Sequence, residues 1–148
     1  MKKISVSLLL LLMVGLTTAF ANDETGISKQ VKKNFEKEFA GAKSVKWNNL
    51  GDYQVATFAY DNTRVEAYFN TATGELEGSA RYLIFDQLPM AVVQTFNKNF
   101  ARKDFISALE ISNADGVFYM LTAETQNKKY SFKVSDNGNV VSKIRIKQ

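Results

Sequence analysis

The chain of 148 residues contains no histidine and no cysteine, and a single proline and a single tryptophan. Without histidine it loses the usual general base at neutral pH and the commonest zinc ligand. Without cysteine as well, the Ser-His-Asp and Cys-His nucleophile systems are excluded. So are ordinary zinc and copper sites. An enzyme built on this chain would have to work with carboxylates, lysine or tyrosine, and these do not cluster. Glu66, Glu75, Glu77, Asp52 and Asp61 are spread over turns and strands, with nothing to suggest the cleft that a carboxylate pair requires. Asp136-Asn137-Gly138-Asn139 lacks the length and closing glutamate of a calcium loop and reads as an Asn-Gly hairpin turn. The expectation is a protein that is not an enzyme and has no metal or cofactor. No disulfide is possible, and no N-terminal cysteine is available for lipid attachment, so an exported form of the chain fits a bacterial periplasm better than a disulfide-dense secreted scaffold.

Charge of either sign is scarce in excess. The 19 basic residues exceed the 15 acidic ones by four, and two of the basic ones, Lys2 and Lys3, belong to the leader. That balance carries no electrostatic footprint for nucleic acid. The one long apolar run, Ile4 to Leu16, follows Lys2-Lys3 and precedes Ala19-Phe20-Ala21. A spanning helix needs roughly 20 apolar residues. A positive start, a shorter apolar stretch and a small-x-small site describe a secretory signal, residues 1–21, cleaved after Ala21. The expected product, residues 22–148, is a periplasmic or secreted single domain and a monomer, with no membrane anchor.

What is abundant is repetition. Phe35-Glu36-Lys37-Glu38-Phe39-Ala40 returns as Phe96-Asn97-Lys98-Asn99-Phe100-Ala101. A helix is expected from Ser28, as N-cap, to Ala40, with Gly41 as its stop. Ile27, Val31, Phe35 and Phe39 make its apolar stripe. A second helix runs from Pro89 to Arg102, with Val92, Val93, Phe96 and Phe100 as the stripe and Pro89 in the first turn, where a missing N–H costs nothing. Four strand-like stretches follow each helix, and glycine turns at Thr73-Gly74 and Asn137-Gly138 mark both sets. The fold class expected is α+β, a tandem repeat of helix plus about four antiparallel strands. Repeat one covers about 27–84 and repeat two about 86–148. Two helices would pack on one face of a roughly eight-stranded sheet. If both halves join one sheet, its opposite face stays open.

Alternation sorts the strands into faces. Val65, Ala67 and Phe69 point one way, and Arg64, Glu66 and Tyr68 the other, which is taken as the wet side. In the last hairpin Tyr130, Phe132 and Val134, with Ser142, Ile144 and Ile146, read as the dry side. Lys133, Lys143, Arg145 and Lys147 then gather with Lys128 and Lys129 on the wet side. Such a group suits an acidic protein, a polyanionic glycan or an anionic lipid surface, or serves as edge protection against strand pairing. Tyr60 and Tyr68 are candidate interface anchors, although the direction in which the Phe58/Tyr60 face points is not fixed by the pattern. With Lys133 and Arg145 they form the candidate partner-binding set.

The tandem unit, the Leu88-Pro89 start of the second helix, the glycine turns and the export signal together resemble the PepSY-like periplasmic proteins. That group is also described as similar to β-lactamase-inhibitor proteins. Ile27-Ser28 departs from the pattern where the second half has Leu88-Pro89. The resemblance implies a non-catalytic binding module that inhibits or chaperones an envelope enzyme such as a peptidase through the open sheet face. It brings no catalytic residues. A binder of a small ligand or cell-envelope polysaccharide on the same face, with Tyr68 stacking and Lys133 and Arg145 supplying charge, is the alternative.

Overall fold

The computed structural model describes residues 26–146. The expected signal, its cleavage site and Lys147 lie outside the described residues. The elements are helix α1 (Lys29–Glu38), strands β1 (Lys43–Leu50), β2 (Tyr53–Tyr60), β3 (Thr63–Asn70) and β4 (Leu76–Leu83), helix α2 (Met90–Asn97), and strands β5 (Phe105–Asn113), β6 (Gly116–Thr125), β7 (Lys128–Ser135) and β8 (Val140–Ile146). Short 3₁₀ turns precede α2 and β5. The eight strands form one antiparallel sheet in the order β1-β2-β3-β4-β5-β6-β7-β8, a meander in which each strand pairs with its neighbours in sequence. The protein is α+β, with two helices on one face of this sheet.

Local chemistry accounts for the elements. The Ser28 hydroxyl accepts the Val31 amide at 3.1 Å and caps α1, satisfying one of the amides a helix start leaves unbonded. Helix α1 ends at Glu38, short of the expected Ala40, because Phe39 leaves the helical conformation at its C-cap. Its ring then reaches Phe35, Phe58 and Tyr60. Pro89 is the extended residue before α2, and its carbonyl accepts the Val92 and Val93 amides at 3.0 Å. Regular helix stops at Asn97, not Arg102, yet the Phe100 amide still reaches the Phe96 carbonyl at 3.0 Å. That last turn seats Phe100 against Tyr130 and Phe132. The tight turns Asp61-Asn62 and Gln126-Asn127 have both residues at positive φ, the hairpin geometry that matches strand twist.

Each helix covers one half of the sheet. Val31 and Phe35 of α1 pack with Trp47, Ala56, Phe58, Val65, Ala67 and Phe69. Val92 and Phe96 of α2 pack with Ala108, Leu121, Ala123, Phe132 and Val134. Tyr60 joins the first of these cores from its margin, so the Phe58/Tyr60 face is the helix side.

The register overturns part of the expected face assignment. Tyr130 pairs with Arg145 and Phe132 with Lys143, whereas Ser131 pairs with Ile144 and Lys133 with Ser142. Lys143 and Arg145 therefore stand on the helix side, and Ile144 and Ile146 on the other. A shift between Lys133 and Val134 sets this register. Every residue of β8 is exposed, so its apolar positions do not mark a buried face. Edge position, outside the footprint of α2, is the physical reason.

Candidate interaction surface on the helix-free face

On the side away from the helices, Val55, Tyr68, Ala80, Leu109, Ile111 and Met120 form a third apolar cluster, joined at its margin by Leu50 and Tyr53. It draws on β2 to β6 and so spans both halves of the chain. No helix or loop among the described residues caps it, yet Tyr68 is only 6% exposed and Met120 7%. Cross-strand neighbours on one face of a sheet lie close enough to cover one another, so the middle of this face is dry without a helix over it. The surface has a dry floor and a more accessible rim.

A polar cluster is set into that floor. Glu66, only 4% exposed, receives the Tyr68 hydroxyl at 3.0 Å and the Arg64 guanidinium at 3.0 Å. Arg64 also lies over the Tyr82 ring, 5.2 Å from its centroid. These residues meet because strands alternate: Arg64, Glu66 and Tyr68 share one face of β3, and Tyr82 extends the same face on β4. Burial first, and the Glu66 charge second, raise the pKa of both tyrosine hydroxyls. Both therefore stay protonated donors at neutral pH, and Arg64 and Tyr82 form an exposed, mutually braced pair. Tyr82 is 40% exposed.

Lys133 stands on the same face. Its ammonium sits 3.7 Å from the centroid of the Phe118 ring, a cation–π contact between diagonal neighbours on β7 and β6. The residue is buried, and burial lowers its pKa despite the opposing pull of Asp115. No buried side-chain nitrogen or oxygen among the described residues lacks a hydrogen-bond partner. The Lys133 stem is thus covered while its head stays at the surface.

The four residues singled out from sequence do not converge. Tyr68 and Lys133 are on the helix-free face, but Tyr68 is part of the floor rather than an exposed anchor, because Val55, Leu109 and Met120 close around it. Tyr60 and Arg145 are on the helix side, at opposite ends of the sheet. The residues the sequence reading missed are Tyr82 and Arg64. Alternation along Leu76–Leu83, which sets Tyr82 apart from Arg81 and Leu83, was the available signal.

On the helix side the strip between the two cores is polar. Arg81 meets Glu110 at 2.9 Å, and the Tyr119 hydroxyl donates to Glu110 at 3.1 Å. Among the described residues, no group of three or more metal-ligating side chains comes together.

No protein-family model matches the chain, and no curated protein matches it in sequence. Solved structures do match in fold. A BLIP-like protein from Bacteroides fragilis superposes with a TM-score of 0.71 at 20% identity, over 80% of this chain and 86% of that one. A Bacteroides eggerthii protein, described as a candidate periplasmic protein, gives 0.72 at 17% identity, over 80% and 88%. A DUF2874 family protein from Bacteroides uniformis gives 0.71 at 15% identity, over 80% and 88%. None of these three bears a PepSY description. At such identities the likeness is one of architecture, and the architecture is the BLIP-like fold.

Proposed function

We propose that this chain is an exported, non-catalytic binding module that receives a folded protein on the helix-free face of its sheet. The observation that carries the reading is the make-up of that face. An apolar floor drawn from β2 to β6 is bordered by Tyr53, Tyr82, Arg64, Phe118 and Lys133. Tyrosine and arginine over a desolvated floor are the residue types that dominate binding energy at protein interfaces. Arg64 is already held by Glu66 and by the Tyr82 ring, so little ordering remains to oppose association.

The leader and the absence of cysteine support a periplasmic or secreted monomer, in line with the description of the Bacteroides eggerthii neighbour. The likeness to a BLIP-like protein supports an envelope enzyme, such as a peptidase, as the target that is inhibited or chaperoned. Equivalent contacts support duplication of one unit. The Asn34 side chain donates to the Gly74 carbonyl at 2.7 Å, and the Thr95 hydroxyl donates to the Gly138 carbonyl at 2.6 Å. Each ties the second turn of a helix to the glycine between the third and fourth strands of its half. The polysaccharide alternative relied on a stacking Tyr68 and a joint Lys133–Arg145 charge, and Tyr68 is buried and those two charges point to opposite sides.

The test is a cross-linked pull-down from periplasmic extract with residues 22–148 as bait, beside an Arg64→Ala/Tyr82→Ala version. Removing Arg64 leaves the buried Glu66 with the Tyr68 hydroxyl as its partner, so the fold of the variant is checked by circular dichroism, and Tyr82→Ala alone serves as the comparison if the double variant unfolds. A protein held by the native bait and reduced by roughly tenfold or more on the variant supports the reading. A partner captured equally by both baits places the contact elsewhere.

A further inference from the structure

The two edges of the sheet differ. Strand β1 is interrupted by a register shift between Lys43 and Lys46, with Ser44 at φ 54, and beyond it exposes Lys46, Asn48 and Asn49. These are features that discourage another strand from pairing. Strand β8, reading Val140-Val141-Ser142-Lys143-Ile144-Arg145-Ile146, is exposed throughout, with Val140, Val141 and Ile144 each about half exposed. It is rich in the β-branched residues that suit a strand. Among the described residues its outer side has no partner strand, in a meander whose other strands are paired on both sides, β1 apart.

Lysine and arginine on an edge can themselves prevent pairing. Here both stand on one face only. The Lys143 ammonium is folded back over the Phe100 and Tyr130 rings, 5.0 and 5.4 Å from their centroids. Neither Lys143 nor Arg145 has a carboxylate within ion-pair distance among the described residues. The other face of the strand offers Ser142, Ile144 and Ile146. The edge thus has two chemically distinct sides, one cationic and one apolar.

We propose that β8 is a strand-addition site whose free edge takes an extended segment of another protein, with acidic side chains toward Lys143 and Arg145 and apolar ones toward Ile144 and Ile146. Main-chain hydrogen bonds would supply affinity, and the alternating side chains would supply choice of partner. A second copy of this chain is a poor occupant in the registers centred on the strand. With helices on the same side, a twofold antiparallel pair centred on residue 143 sets Lys143 against itself. Centring on residue 144 sets Lys143 against Arg145. Like charges directly opposite destabilise a strand pair. This surface is separate from the floor around Glu66, so it stands or falls apart from the reading above.

The test is amide hydrogen exchange of the protein with a blocked peptide alternating aspartate and valine, beside one alternating lysine and valine. At saturation the aspartate peptide is expected to slow exchange in Val140–Ile146 by about tenfold or more, and the lysine peptide to leave it unchanged. In a Lys143→Glu/Arg145→Glu variant the preference is expected to reverse. Equal protection by both peptides, protection confined to other strands, or protection of β8 on concentrating the protein without peptide would each overturn the proposal. The wild-type comparison decides even if the variant fails to fold.

Discussion

Tyr119 reaches across the β5–β6 pair to Glu110 at 3.1 Å, and its pKa is pushed up to about 12 from the ordinary 10.0, first by burial and then by the Glu110 charge. In the unfolded chain the phenol ionises near its ordinary value, while in the fold it keeps its proton. Between pH 10 and 12 the unfolded state therefore holds fewer protons, and stability falls as pH rises through that window. Below it the contribution is fully present. Chemical denaturation across this range should show a shallower decline for Tyr119→Phe than for the native protein, because the variant has no phenol there to ionise. Parallel slopes would mean that Tyr119 is not held as described. Single residues also show what alternation along a chain can and cannot reveal. It placed Tyr68 beside Arg64 and Glu66 on one face of β3 correctly. It could not show that the middle of this face is covered, because the cover comes from side chains of β5 and β6 that are distant in sequence.

At the level of elements, the two helices are pinned by glycines in the same way but with unequal tolerance. A methyl added at Gly138 would lie 2.7 Å from the Ala91 carbonyl oxygen, in the first turn of α2. One added at Gly74 would meet the Gln30 side chain at 2.6 Å. Both glycines have positive φ, as does Gly51, where the added methyl would meet nothing. Gly51→Ala should cost about 1–2 kcal/mol from backbone conformation alone. Gly74→Ala should cost more than that, since the Gln30 Cγ at 2.6 Å can rotate away but its Cβ at 3.1 Å is fixed to the helix. Gly138→Ala should cost the most, because a helix carbonyl cannot move without its hydrogen bond. Urea unfolding of the three variants gives the order, and Gly138→Ala no worse than Gly51→Ala would contradict the packing described. Glycine spacing made these turns legible in sequence. The helix ends were not legible, because Phe39 and Phe100 extend the apolar stripe in sequence while packing from beyond the regular helix. The faces of β8 were misread because an edge strand alternates without burying either side.

Considered as a whole molecule, the protein has two separate cores on the helix side and one shared floor on the other. Val55 and Tyr68 come from the first half of that floor, and Leu109, Ile111 and Met120 from the second. Strands β4 and β5 pair continuously from Gly78 with Asn113 to Leu83 with Ala108, so no seam divides the sheet. The halves should therefore unfold together. Phe96 is fully buried in the second core, against Phe85, Phe100, Phe105 and Phe132. Truncating it to alanine should cost about 3–5 kcal/mol. Trp47, the chain's only tryptophan, sits in the first core. Its fluorescence should report the Phe96→Ala loss at the same denaturant midpoint as far-ultraviolet dichroism. A tryptophan transition left at the native midpoint would show two independent halves.

The meander order carries a consequence for how such a sheet comes into being. No strand has to wait for a partner from the far end of the chain, since every pairing closes a hairpin or bridges one short helical excursion. The loop-closure entropy that slows sandwiches and parallel sheets is small at each step. A chain released gradually from its N-terminus can zip strand upon strand as it emerges, so that at any moment the unsatisfied edges are β1, whose bulge and polar residues discourage pairing, and the newest strand. The completed molecule keeps the last of those growing edges.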